Sequence, residues 1–472
     1  MQAPKTAIKK EKGIRMVGLE FENQLVYTKT GFAVGRKDVA ALWKKLMENK
    51  WQPTVDKYTN VIIGVTKKTS RGTVVVNTDT GICNLEVAFP PKRDLIAARS
   101  EYKKIFAEII GTAKKLGFTA ISLGVTPRKM SGDLYDFKTE KGLYLLINDW
   151  FVRHNVQIPI SSHQVCVDVD LKEMVRSINC LSKLGGLFIA LTANSVIEDD
   201  EIQKWKEIRT LHWKVPFNSQ FINIDNIFGG MPNKPFKDLS DYFRYIWNGT
   251  PVVIIKNGEW VRLKDWRITT WQYLTCGKEL EAVTVDKKKI WVKADEGDLN
   301  LMMMLAWNDV KAHVIIDSER VRLRDFIDAI RKNSLEKYLK DKILSSYLEM
   351  RVCPVAPKGE EMVIPAFLLG LVNNLKGLEV FGRKFSWDDG KRLKDVLSIK
   401  GMDYELKGKP ISLFLKQLVS ISEIGLKKRG LGEEGFLDIL DQRLKEEMTP
   451  ADKTIAIFKK EGLEGVLRAN MY

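Results

Sequence analysis

The sequence predicts an α+β fold, on three observations. Short segments of strand-like alternation recur in the first half, regular strand–helix–strand spacing is missing, and the last third of the 472 residues carries mostly helical periodicity. Ile14–Tyr27 reads as the first strand, with Val17, Leu19, Phe21 and Leu25 on one face and Glu20, Glu22 and Gln24 on the other, allowing an irregularity near Asn23. Thr73–Asn77 and Ile82–Phe89 pair through a Thr78–Gly81 turn, and Ala120–Val125, Ile160–Asp170 and Tyr347–Cys353 complete the strand set.

Helices are predicted at Arg93–Leu116, stopped by Gly117, at Leu171–Ala193, at Leu323–Leu344, and after Ile364 through to the C-terminus. From Ser219 to Trp271 the chain is rich in Asn, Gly, Pro and aromatics, and Val252–Ile255 and Trp260–Leu263 flank an Asn257-Gly258 hairpin signal. The expected organisation is a core in two parts, 1–218 and 301–380, interrupted by a subdomain or lid at 219–300 and followed by a helical region at 381–472.

Composition excludes several classes. At 44% hydrophobic and 29% charged residues the chain is too apolar to be disordered, and no apolar run is expected to reach membrane-spanning length. The N-terminus is basic without an apolar signal core, so a cytoplasmic location is expected. Five scattered cysteines without a CxxC pair suggest neither disulfides nor zinc, and four histidines, His154, His163, His212 and His313, show no helical ligand spacing. Any metal should be held by oxygen. A net charge of +16 first suggests a polyanion partner, but the lysines are interleaved with acidic residues and no groove-reading motif occurs, so no nucleic-acid partner is expected.

The chemistry-bearing pattern is a set of carboxylates on strand polar faces. Glu20 and Glu22, roughly 7 Å apart along a strand, share a face. The same alternation sets Asn84 and Glu86 against Cys83, Leu85, Val87 and Phe89, and Glu349 and Arg351 against Leu348, Met350 and Val352. Gln164 and Cys166 stand opposite His163, Val165 and Val167. For the first segment alone, a solvated outer face explains the pattern as well. If the strands share one sheet, Glu20, Glu22, Glu86 and Glu349 meet around one cavity, where repulsion requires hard divalent cations, and this predicts a metal–nucleotide site. No GxxxxGK[ST] loop is present, and the G-x-G-x-x-G at Gly430–Gly435 follows no strand and reads as a turn between helices.

The segments GLEFEN (18–23), ICNLEVAFP (82–90), SHQVCVDVD (162–170), MVRSINCLSKLGGLFIALTANS (174–195), IRTLHW (208–213), YLEMR (347–351) and IPAFLLGL (364–371) together resemble, in order, the glutamate–cysteine ligases of plant and proteobacterial type. The resemblance implies a glutamine-synthetase-like core, a curved antiparallel sheet with helices on its convex side and ATP, Mg²⁺ and glutamate on its concave face. It further implies Glu20, Glu22, Glu86 and Glu349 as metal ligands, Gln164 and Arg351 near the nucleotide, and Arg209 and Arg351 as contacts to substrate or phosphate. For Arg351 a structural ion pair, and for Arg209 a surface position at a helix end, remain as alternatives.

The implied partners are glutamate and cysteine or another amine, for a monomer or homodimer. Two departures bear on the acceptor: the family's strand often continues into a Gly-Ala-Asp-type turn where this chain has Val352-Cys353-Pro354-Val355, and Cys166 stands where asparagine is common. Both cysteines read as small packed side chains.

Overall fold

The computed structural model describes residues 14–130, 134–147, 158–214 and 230–472, with Asn223 and Asn226 between the last two segments. The basic N-terminal segment, His154 and the start of the expected 219–300 insertion lie outside the described residues.

Period-two alternation builds one large antiparallel sheet. Its strands are β1 (Val17–Tyr27), β2 (Gln52–Val55), β3 (Ile62–Thr69), β4 (Gly72–Thr78), β5 (Asn84–Lys92), β6 (Phe118–Ile121) and β7 (His163–Asp168) from the first half. A two-residue hairpin follows, β8 (Ile197–Glu198) with β9 (Glu201–Ile202). Next come β10 (Ile254–Lys256), β11 (Glu259–Leu263), β12 (Leu280–Thr284) and β13 (Lys289–Val292), then β14 (Val310–Ile316) and β15 (Ile343–Met350). Among the described residues nine strands join in the order β14-β15-β7-β1-β5-β4-β3-β2, with β6 beside the far half of β1. The α+β reading therefore holds, with antiparallel pairing throughout this sheet.

The odd-numbered residues of β1 face the core. Val17, Leu19 and Phe21 are buried, and the Phe21 ring lies 4.8 Å from Tyr102 on the Leu95–Lys115 helix and 4.6 Å from His163. That helix starts where the Asp94 side chain accepts from the Ala97 amide at 2.6 Å, and Gly117, at φ +89°, follows its end. The Leu171–Thr192 helix is buried between the sheet and the Trp387–Lys400 helix, close enough that a Cβ at Gly186 would lie 2.6 Å from the Leu393 carbonyl carbon.

Several boundaries depart from expectation. The irregularity of β1 falls between Val17 and Leu19, whereas Glu22, Asn23 and Gln24 pair in unbroken register with Glu86, Leu85 and Asn84. Ala120–Val125 shortens to β6, and Tyr347–Cys353 becomes the end of β15, so Arg351 follows the strand rather than lying within it. The expected Leu323–Leu344 helix is two short helices, Leu323–Arg331 and Leu335–Leu339, and β15 begins at Ile343 because its alternation outweighs helical spacing there. Strand β14 was not foreseen. The Asn257-Gly258 hairpin forms, both residues at positive φ, but continues into the four-stranded sheet β10–β13. Contrary to expectation, one helix among the described residues, Leu171–Thr192, is long and apolar enough to cross a membrane, and 83% of its apolar window is buried inside the fold.

Candidate active site

Strand register assembles the site as rows of side chains on the polar face. Directly paired residues point to the same side of a sheet. One row carries Glu22, Glu86 and Asn77 on β1, β5 and β4. The next carries Gln164, Glu20 and Ala88, and the third Lys311, Glu349, Cys166 and Gly18.

Glu20, Glu22 and Glu86 each offer a carboxylate oxygen, and these atoms lie within 4.8 Å of one another. Glu22 is 5% exposed, so a solvated outer face does not describe this strand. Burial first, then Glu86, Glu349 and Glu22, hold the Glu20 carboxyl well above the usual carboxylate range. Burial, with Asp79 and Glu86, pushes Glu22 up to about 7, and burial with Asp79 raises Glu86. The three carboxylates are short of positive charge where they stand.

Their orientation is fixed by local donors. The Ser162 amide and hydroxyl donate to Glu22 Oε2 at 2.7 and 3.0 Å, and Gln164 Nε2 donates to Oε1 at 2.5 Å. Asn77 Nδ2 donates to Glu86 at 2.9 Å, and Asn77 Oδ1 accepts from Lys141 Nζ at 3.1 Å. Asp79, in the turn before β5, accepts from the Tyr144 hydroxyl at 2.8 Å.

Glu349 behaves differently. The structure does not bring it into the group of three: its Oε1 pairs with Arg351, and its Oε2 meets His313 Nε2 at 2.5 Å and Lys311 Nζ at 3.5 Å. Although burial alone would raise it, Lys311, Arg351 and His313 together hold this carboxyl well below the usual range. Arg351 also donates to Gln164 Oε1, so a structural ion pair and a place beside the carboxylates are both realised. Arg209 is not a surface residue. It is 5% exposed and pairs with buried Glu207 at 3.2 Å, while its charge still bears on Glu22 and His163. Cys353 is buried and Cys166 partly so, both as free thiols.

Sequence reasoning missed Asn77, Asp79, Lys141, Tyr144, Lys311 and His313. For Lys311 and His313 a signal existed, alternation with Val310, Ala312 and Val314, whereas Lys141 and Tyr144 belong to the Gly142–Leu146 helix and its N-cap, too short to show a period.

Glutamate-cysteine ligase family 2 matches residues 16–468, nearly the full length. The chain belongs to that family. The resemblance seen in separated sequence blocks is thereby a family relation. Among curated relatives, the chloroplastic glutamate–cysteine ligase of Arabidopsis thaliana is 25% identical over 133 residues, 28% of this chain and 26% of that protein. The chloroplastic enzyme of Solanum lycopersicum is 26% identical over 130 residues, 27% of this chain and 25% of that protein. The chain thus spans about a quarter of the length of the curated relatives it matches. A solved glutamate–cysteine ligase of Francisella tularensis, in complex with AMP, superimposes with a TM-score of 0.52 at 11% identity, covering 98% of this chain and 88% of that one, which establishes a shared fold.

Proposed function

We propose that this member of the ligase family uses ATP to join the γ-carboxylate of L-glutamate to the amine of L-cysteine through a γ-glutamyl phosphate. The observation that carries the reading is the under-compensated group of buried Glu22 with half-buried Glu20 and Glu86 beside the Arg351 guanidinium. Three converging hard oxygen donors fit Mg²⁺, and the raised carboxyl pKa values are what a cation would reverse. Bound there, Mg²⁺ supplies charge neutralisation for the phosphates of ATP as they approach the glutamate carboxylate.

Glu20, Glu22 and Glu86 would hold the ion. Glu349 would join them only by exchanging its present cationic partners. Gln164 holds Glu22 in place, and Arg351 is the cation best situated to grip an acyl phosphate and protect it from water. Arg209 supports this at longer range, its charge shared with Glu207.

The same reading takes the nine-stranded sheet as a curved, glutamine-synthetase-like platform with its helices on the convex side. It takes 1–218 and 301–380 as the core, 219–300 as a lid and 381–472 as a helical appendage. A cytoplasmic monomer or homodimer acting on small molecules, without nucleic acid or membrane, completes it. A related acceptor amine is the second reading, favoured by the Val352–Val355 departure next to Arg351.

The test is ADP formation from Mg–ATP and glutamate with and without cysteine. Cysteine-dependent turnover is expected, and cysteine no better than background across a panel of amines would defeat the specific reaction. Glu20→Gln should lower kcat by about 100-fold or more with the fold intact, as for loss of a group that stabilises transition-state charge; unaltered turnover would contradict the site.

A further inference from the structure

We propose that the groove between the Leu375–Gly382 and Ile411–Arg429 helices is a docking site for an acidic amphipathic helix, about three turns long, supplied by a partner protein. The groove shares no residue with the carboxylate site, and the inference is independent of the ligase reading. It holds about 680 Å³ and has an apolar floor, made by Gly377, Val380 and Phe381 of one helix and Ile421 of the other.

Helical spacing explains the exposed apolar surface. Leu413, Gln417, Ser420 and Ile424 recur at intervals of four, three and four residues, so they form one solvent-facing stripe, while Leu415, Leu418, Val419 and Leu426 bury the opposite side of the same helix. Leu413 and Ile424 are each 45% exposed and Val380 is 61% exposed, and apolar side chains kept together at a surface mark an interaction site. From Leu413 to Ile424 the helix rises about 16 Å, close to three turns.

Charge selects the occupant. Lys376 and Lys384 stand along one rim and Lys416 along the other, and no acidic residue lines the groove. Lys384 Nζ lies 5.1 Å from the centre of the Phe381 ring and donates to Gln417 Oε1, which bridges the two helices. Lys376 and Lys416 are exposed, and no ion pair among the described residues engages either. The neighbouring acids are already committed: the two oxygens of Glu379 accept from Arg176 at 2.7 and 2.6 Å, and Glu423 pairs with Lys427 at 2.5 Å.

The three cations are spread out. Lys384 follows Lys376 by about 12 Å of helix axis, and Lys416 comes from the other helix. A ligand with a single carboxylate reaches only one of them. An elongated ligand with an apolar face between two acidic flanks reaches all three, and an amphipathic helix has that shape. A second copy of this chain, at net charge +16, is repelled where an acidic partner is drawn in.

The experiment uses the full chain and a labelled synthetic helix of about 14 residues, cross-linked to hold it helical, with leucines at i, i+4, i+7 and i+11 and glutamates on both flanks. The same helix with lysine for every glutamate is the control. Fluorescence anisotropy is expected to show saturable binding of the acidic helix, weakened about 10-fold or more by Val380→Glu and by Lys376→Glu/Lys416→Glu. The charge-reversed variant should take up the lysine helix, which wild type should not, and raising NaCl from about 0.05 to 0.5 M should weaken the acidic helix severalfold. Because the altered side chains are exposed, melting temperature and ADP formation should match wild type in every variant, which separates loss of docking from loss of fold. No binding of the acidic helix, equal binding of the lysine helix, or binding that both variants leave unchanged would overturn the proposal. So would dodecanoate or phosphatidylglycerol vesicles binding in place of the helix, or a dimer in sedimentation that Val380→Glu dissolves, since each would give the groove another occupant.

Discussion

At the scale of single residues, the site is defined by how unevenly counter-charge is distributed among carboxylates of one kind. Glu349 has three cations around it and is held ionised, whereas Glu20, Glu22 and Glu86 are pushed toward protonation by burial and by each other. Glu22, raised to about 7, gives a signed prediction. Divalent-ion affinity should climb steeply as pH rises through that value, because the ion must displace the proton, and the climb should flatten in Glu22→Gln. Stability runs the other way. Between the ordinary carboxylate value and about 7 the metal-free native state holds a proton that the unfolded chain has released, so this group's contribution declines as pH rises across that window. The melting temperature of metal-free protein relative to Glu22→Gln should therefore fall from about pH 5 to about pH 8, and saturating Mg²⁺ should abolish the fall. A difference that rises over the same range would contradict the charge balance described here.

At the scale of elements, packing between helices is set by small residues whose spacing carries no chemistry. The Val363–Asn373 and Ile411–Arg429 helices approach backbone to backbone at Gly370 and Gly425, where a Cβ on Gly425 would overlap the Gly370 carbonyl. Gly425→Ala is expected to cost about 1–3 kcal/mol of stability by overpacking. Gly111, exposed in the Leu95–Lys115 helix with nothing within 4 Å of its Cβ position, should do the reverse and gain up to about 1 kcal/mol as Ala. Denaturant unfolding of the two variants would expose any error in this contrast. Elements also explain which parts of the site the sequence announced. β1, β5 and β7 were legible because one face is mostly apolar and the other carries the carboxylates and amides, so Glu20, Glu22, Glu86 and Gln164 fell on one side by parity, with Asn23 and His163 as the polar exceptions on the core side. β14 carries the same alternation, but the part its polar residues Lys311 and His313 play was hidden, because their neighbours across the sheet, Glu349 and Tyr347, become visible only once β15 pairs with it. Asp79, Lys141 and Tyr144 were hidden for another reason: Asp79 sits in a turn, and Lys141 and Tyr144 at the start and within the five-residue Gly142–Leu146 helix, where placement depends on tertiary contacts rather than period.

At the scale of the whole molecule, the four-stranded sheet β10–β13 is fastened around its first hairpin, where Lys256 pairs with Glu259 across the Asn257-Gly258 turn, by two sets of contacts of unequal burial. One is inward: Lys256 pairs with Asp298 at 2.7 Å, and Asp298 also accepts from the Tyr273 hydroxyl at 2.8 Å. The other joins the turn itself to the turn between β2 and β3, where exposed Lys57 Nζ reaches the Gly258 carbonyl at 2.5 Å and Glu259 at 2.7 Å, and the Trp260 amide donates to the half-buried Tyr58 hydroxyl. From that turn the contacts continue inward. Asp56 accepts from the Gly142 amide at 3.1 Å, and the adjoining Lys141 holds Asn77, which holds Glu86. Exposed ion pairs are weak and screened by salt, so the Lys57 contacts should open far more readily than the buried Lys256–Asp298 pair. Glu259→Lys places like charges together at the Lys57 contacts and should speed amide exchange over Lys256–Arg262 and the 56–60 turn, while leaving β1 and the Glu296–Met304 helix protected. The same acceleration should follow in wild type when salt is raised, and equal exchange in wild type and variant would mean that other contacts hold this sheet against the core.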